Sequence, residues 1–101
     1  MSTHTPKKTE MEVFSEATNF PVVRFPGRSF PGSLVQGDSL SIIYQLAAAI
    51  RGRAKKTGNV DLIDDAEELH ELLRTRLRIY EETLAAHGIE LPYSGPLTTK
   101  R

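Results

Sequence analysis

The sequence predicts an α+β fold, a small N-terminal antiparallel β-sheet of two or three strands followed by two antiparallel α-helices, the second of them long. Two observations predict it. Short β-branched and aromatic stretches at 12–16 and 20–25, split by Ala17-Thr18-Asn19, read as a hairpin. From Asp38 onward the apolar residues recur at helical spacing, in two runs separated by Thr57-Gly58-Asn59.

The hairpin strands carry Val13 and Phe14 on one side and Phe20, Val22, Val23 and Phe25 on the other. The Pro-Gly segment 26–32 then leads into Ser33-Leu34-Val35-Gln36, long enough for a third short strand. In the first helix Leu40, Ile43, Tyr44, Ala47, Ile50 and Ala54 keep the i, i+3, i+4, i+7 rule, with Asp38 or Ser39 expected as the cap. It should end near Lys55, where Arg51, Arg53, Lys55 and Lys56 complement the helix dipole.

The second helix opens at Asp61 and stops at Gly88, with Leu62, Ala66, Leu69, Leu73, Leu77, Tyr80 and Leu84 as its apolar ladder. Its length, roughly 40 Å against about 25 Å for the first, leaves part of it beyond its intrachain partner. Leu72 and Ile79 form a further apolar line, and a helix with two apolar stripes needs a second partner, most economically another copy of the chain. A homo-oligomer with Leu72 and Ile79 in its interface is therefore expected.

The expected organisation is a disordered leader at 1–10, one domain at 11–95 and a flexible tail at 96–101. Residues 89–93 are extended and partly apolar, suited to lying across a surface. A chain of 101 residues makes one domain of marginal stability. Thirteen basic residues balance thirteen acidic ones, which excludes duplex nucleic acid gripped mainly by counterion release. The absence of cysteine excludes disulfides, thiolate metal sites and cysteine nucleophiles. No stretch suits a signal peptide or membrane span, so a cytoplasmic location without membrane contact is expected, that of the host cell if the gene belongs to a phage.

The candidate site is the stretch from Arg24 to Gly32 with the Gln36-Gly37-Asp38-Ser39 that follows. Two Pro-Gly pairs fix turns, Arg24 and Arg28 offer forked donors to an anion, and the first amides of a helix point outward. Phe25 and Phe30 could stack on a base. Pairing of the arginines with Glu12 or Glu16 is the structural alternative.

Gly37-Asp38-Ser39-Leu40-Ser41 also spells the nucleophile block of GDSL-type esterases. That chemistry needs an Asp-x-x-His, and His4, His70 and His87 do not supply one, so a non-enzyme without cofactor is expected. Glu67 and His70 make a single metal-ligand spacing, which reads as a solvated helix face and not a metal site.

The core Phe-Pro-Gly-Arg-x-Phe-Pro-Gly-x-x-x-Gln-Gly-Asp-Ser-Leu at 25–40 resembles a family of small uncharacterised proteins of bacteria and phages. Arg-x-x-x-Tyr-Glu at 76–81 and Ala-Ala-His-Gly-Ile-Glu-Leu-Pro-Tyr at 85–93 extend the resemblance. In size and layout the chain is also similar to the first class of Thoeris anti-defense proteins, phage sponges for cyclic ADP-ribose signals and, in some members, cyclic oligonucleotides. What that likeness implies is a non-catalytic protein that sequesters a phosphate-bearing cyclic nucleotide immune signal. The alternative is a protein-binding immunity or inhibitor module that uses the long helix.

Overall fold

In the computed structural model, residues 5–16 and 18–97 are described, and they form β1 (Glu12–Ser15), β2 (Val22–Arg24), β3 (Gly32–Ser33), α1 (Gly37–Lys55) and α2 (Val60–Ala86). The strands are antiparallel in the order β1-β2-β3. Glu12 faces Arg24 and Val13 faces Val23, after which Phe14 is the extra residue of a bulge before Ser15 meets Val22.

β3 is shorter than the expected 33–36. The Leu34 amide still donates to the Pro21 carbonyl at 2.9 Å, but the chain then leaves the ladder so that Gln36 can start α1. The link from β2 to β3 contains a tight turn in which the Arg28 amide donates to the Phe25 carbonyl at 3.2 Å. Pro26 and Gly27, the latter at φ +83°, occupy the positions of a type II turn.

Capping differs between the helices. Gln36 is the N-cap of α1 and its side chain makes no capping bond, which corrects the assignment to Asp38 or Ser39. The Asp38 carboxylate accepts instead from the neighbouring Ser39 amide at 2.8 Å. The helix begins earlier because Gly37 is buried where the Tyr80 ring of α2 crosses, in a seat that a Cβ would fill.

Asn59 caps α2 by accepting from the Leu62 amide at 3.0 Å. At the other end Gly88, at φ +70°, lets its own amide reach the Ala85 carbonyl and the Ile89 amide reach that of Leu84. This paired closure satisfies the last carbonyls of the helix.

α1 and α2 pack as a hairpin across mostly small residues, with Ser41, Ala47 and Ala54 buried from α1 and Ala66, Leu77 and Glu81 from α2. Tyr44 and His70 stack with ring centroids 5.1 Å apart. At the loop end of the hairpin, Glu67 reaches Arg51 at 2.9 Å and Lys55 at 3.8 Å.

Glu81 anchors the segment after α2. Only 2% exposed, it accepts from the Tyr93 hydroxyl at 2.7 Å and from the Leu97 amide at 3.1 Å. Burial and the adjacent carboxylate push the Tyr93 pKa well above its ordinary value. The expected surface course of 89–93 thus has a specific tether, which continues to Leu97, while Thr98–Arg101 lie outside the described residues.

No strand lies beside either helix among the described residues. The radius of gyration is 16.5 Å, against about 13 Å for a close-packed chain of this length. The accessible surface of 7726 Å² likewise exceeds the roughly 5,700 Å² expected of a folded monomer of this mass.

Two glycines of α1 give opposite expectations. Gly37→Ala drives a methyl group into Tyr80 and should lower unfolding stability by about 1–3 kcal/mol. Gly52 has open space around its added Cβ, so Gly52→Ala should raise stability by about 0.5–1 kcal/mol. Urea unfolding followed by circular dichroism measures both.

Glu81→Ala strands the Leu97 amide and the Tyr93 hydroxyl, at a cost of about 1–3 kcal/mol. It should also make the 89–97 segment a preferred site of limited proteolysis, a change read by mass spectrometry of the fragments.

Candidate functional site

The functional residues expected from the sequence divide into three groups. The antiparallel register sets Arg24 directly across from Glu12, and the Arg24 Nε and a terminal nitrogen each lie 2.6 Å from Glu12 Oε1. The other terminal nitrogen reaches the Ser29 carbonyl at 3.4 Å, and the guanidinium carbon sits 5.6 Å from the centre of the Phe14 ring. The hydrogen bond from Arg24, aided by its charge, holds the Glu12 carboxyl below its ordinary value, and Glu12 in turn raises that of Arg24.

Arg28 is placed differently. It ends the type II turn, is exposed, and makes no ion pair among the described residues. A cleft of about 400 Å³ opens beside it, lined by Val23, Phe25, Phe30, Gly32, Ser33 and Leu34. Phe25 is 52% exposed and Phe30 84% exposed, so two aromatic faces and one unneutralised guanidinium share this wall. The turn's other side is a second cleft, of about 430 Å³, where Arg24 and Arg28 stand with Glu10 and Glu12.

The third group, Gln36, Gly37, Asp38 and Ser39, lines neither cleft. Gly37 is buried under Tyr80, and the Ser39 amide is taken by Asp38. The structure therefore brings Arg28 together with Phe25 and Phe30, joins Arg24 to Glu12, and leaves the start of α1 apart from both.

The histidines also have specific surroundings. His70 lies against Tyr44, where burial foremost, with Arg51 next, lowers its pKa. His87 Nδ1 is 2.9 Å from the Thr83 carbonyl. His4 is outside the described residues. Glu67 is committed to Arg51 and Lys55, and no group of three metal-ligating side chains occurs among the described residues.

Two contributors escaped the sequence reading. Phe14 stands two residues beyond Glu12, on the side of the strand that faces Arg24, and its ring lies 5.6 Å from the guanidinium carbon. Ser33 joins the cleft wall because β3 ends there.

Residues 6–93 match a family of unknown function (DUF6959), and the chain belongs to that family. No curated protein and no solved structure matches it. Within the described residues, no helix is long and apolar enough to cross a membrane.

The Glu12–Arg24 pair has a pH signature. Because the folded carboxyl sits below its ordinary 4.5, the pair stabilises the sheet above that value, and the stabilisation is lost as pH falls through the folded pKa. An NMR titration of the Glu12 carboxyl should show a midpoint below 4.5, and Arg24→Ala should return it toward 4.5. Equal midpoints in the two proteins would contradict the pairing.

Proposed function

We propose that this protein is a non-catalytic binding protein that sequesters a phosphate-bearing cyclic nucleotide in the cleft beside Arg28. The observation that carries the reading is an arginine with no ion pair among the described residues, which shares the wall of one cleft with two exposed phenylalanine rings. The guanidinium would take a phosphate through charge-assisted bonds, and Phe25 or Phe30 would stack on a base. The volume falls in the range of small-molecule sites.

Arg24 contributes a second, weaker positive charge across the turn, since Glu12 already neutralises much of it. Gln36, Gly37, Asp38 and Ser39 form no part of this site. Sequestration requires affinity and no general base. The layout likeness to Thoeris anti-defense sponges supports cyclic ADP-ribose isomers and cyclic oligonucleotides as the signals to test.

A second reading, a protein-binding immunity or inhibitor module, is favoured by a separate observation. Ile42 and Leu46 of α1 and Leu72 and Ile79 of α2 are about half exposed or more.

Calorimetric titration with cyclic ADP-ribose isomers and cyclic di- and trinucleotides tests the first reading. Arg28→Ala should weaken binding about tenfold or more, equivalent to the roughly 1.5–3 kcal/mol of a hydrogen bond to a charged group. Arg28→Lys should recover part of that loss, because an ammonium keeps the charge without the fork. Arg24→Ala should have the smaller effect. No heat from the wild type with any of these ligands would overturn the nucleotide reading in favour of the protein-binding one.

A further inference from the structure

The outward apolar residues of the helical hairpin are not scattered. With Tyr44 of α1 and Leu77 of α2 pointing inward, and about 100° of turn per residue, Ile43, Leu46 and Ile50 fall to one side of α1. By the same count Leu69, Leu72 and Ile79 fall to the same side of α2, because the helices are antiparallel. The opposite side of α2 carries Glu67, Glu71, Arg74, Arg78 and Glu82, paired within the helix or, for Glu67, with Arg51 and Lys55 of α1. One side of α2 is thus charged and the other apolar.

Along α2 the apolar face has an internal order. Leu62, Asp65, Leu69, Leu72, Arg76 and Ile79 follow one another at steps of three, four, three, four and three, the spacing of a coiled-coil seam. The series is also a palindrome in chemistry about the point between His70 and Glu71. Inverted, it places leucine opposite leucine at the centre, aspartate opposite arginine next, and leucine opposite isoleucine outermost.

We infer that two copies of this chain pair through the apolar face of the hairpin, with their α2 helices antiparallel across a two-fold axis between His70 and Glu71. Leu69 then meets the partner's Leu72, Asp65 meets the partner's Arg76, and Leu62 meets the partner's Ile79. A two-fold interface repeats each contact, so the seam closes on itself without a further subunit. A parallel pairing stacks Asp65 on its own copy and Arg76 on its own copy, and like charges oppose it.

A further observation supports this occupant. Arg74 and Arg78 each reach a glutamate on α2, whereas Arg76 reaches only the Leu72 carbonyl at 2.8 Å, and Asp65 has no ion pair among the described residues. Ile43, Leu46 and Ile50, on the same face, join the seam as a second row.

Charge exchange tests both the pairing and its direction. Within one helix Asp65 and Arg76 stand about 16 Å apart, too far to pair, so any coupling between them passes through a second copy. Sedimentation velocity at tens of micromolar should show a wild-type dimer, and Asp65→Arg or Arg76→Asp should weaken dimerisation at least about tenfold. The double variant D65R/R76D should restore it. Circular dichroism confirms that these surface-charge variants remain helical.

A monomeric wild type overturns the inference. So does a double variant that dimerises no better than either single variant. Neither outcome depends on nucleotide binding at Arg28, which lies in the strand segment and is titrated separately.

Discussion

The close approach of α1 to α2 is the constraint from which the rest follows. The positions between them are held by Gly37, Ser41, Ala47 and Ala54 on one helix and Ala66 on the other, with Leu77 as the main large apolar group. Small inward residues bring the helix axes together and leave little volume between them. Ile43, Leu46 and Ile50 of α1 and Leu69, Leu72 and Ile79 of α2 are left exposed. They lie to one side, while charged residues occupy the opposite side of α2 and satisfy one another in pairs or, for Glu67, pair with α1. Dense packing inside the hairpin and apolar exposure beside it are two results of the same choice of residues.

The sheet obeys a different logic. Its three strands are short, two to four residues each, and are held by register, the type II turn and the Glu12–Arg24 cross-strand pair instead of a shared core with the helices. Val23 is its one buried apolar side chain. A sheet this small, without a helix on its face, keeps its aromatic groups at the surface. That is why Phe25 and Phe30 remain available beside Arg28, and why the cleft belongs to the turn and not to a junction between sheet and hairpin.

Much of the fold was legible because helical periodicity and the Asn59 and Gly88 boundaries are local signals. The two helices and their unequal lengths, 19 and 27 residues, follow directly from apolar spacing. The start of α1 was not legible, since the reason Gly37 is helical and buried is Tyr80, forty-three positions away in sequence. The length of β3 was misread for a related reason: Leu34-Val35-Gln36 has strand character, yet the chain must turn there to enter α1. For the site, the sequence showed which residues carry charge but not how register distributes it. Arg24 and Arg28 look equivalent on either side of Pro26-Gly27. Only the pairing of β1 with β2 gives one of them a carboxylate and leaves the other without.

This inequality separates two kinds of exposed apolar surface in the same chain. At the turn, aromatic rings border an unneutralised cation, a combination suited to a ligand that is both planar and anionic. On α2, aliphatic side chains alternate with one acid and one base placed symmetrically about the point between His70 and Glu71, the arrangement from which pairing with a second, antiparallel copy is inferred. A partner of unrelated sequence would have to supply a base opposite Asp65 and an acid opposite Arg76 by its own complementarity. A second copy does so automatically, and the symmetry of the seam is therefore an argument about the identity of the partner as well as its chemistry.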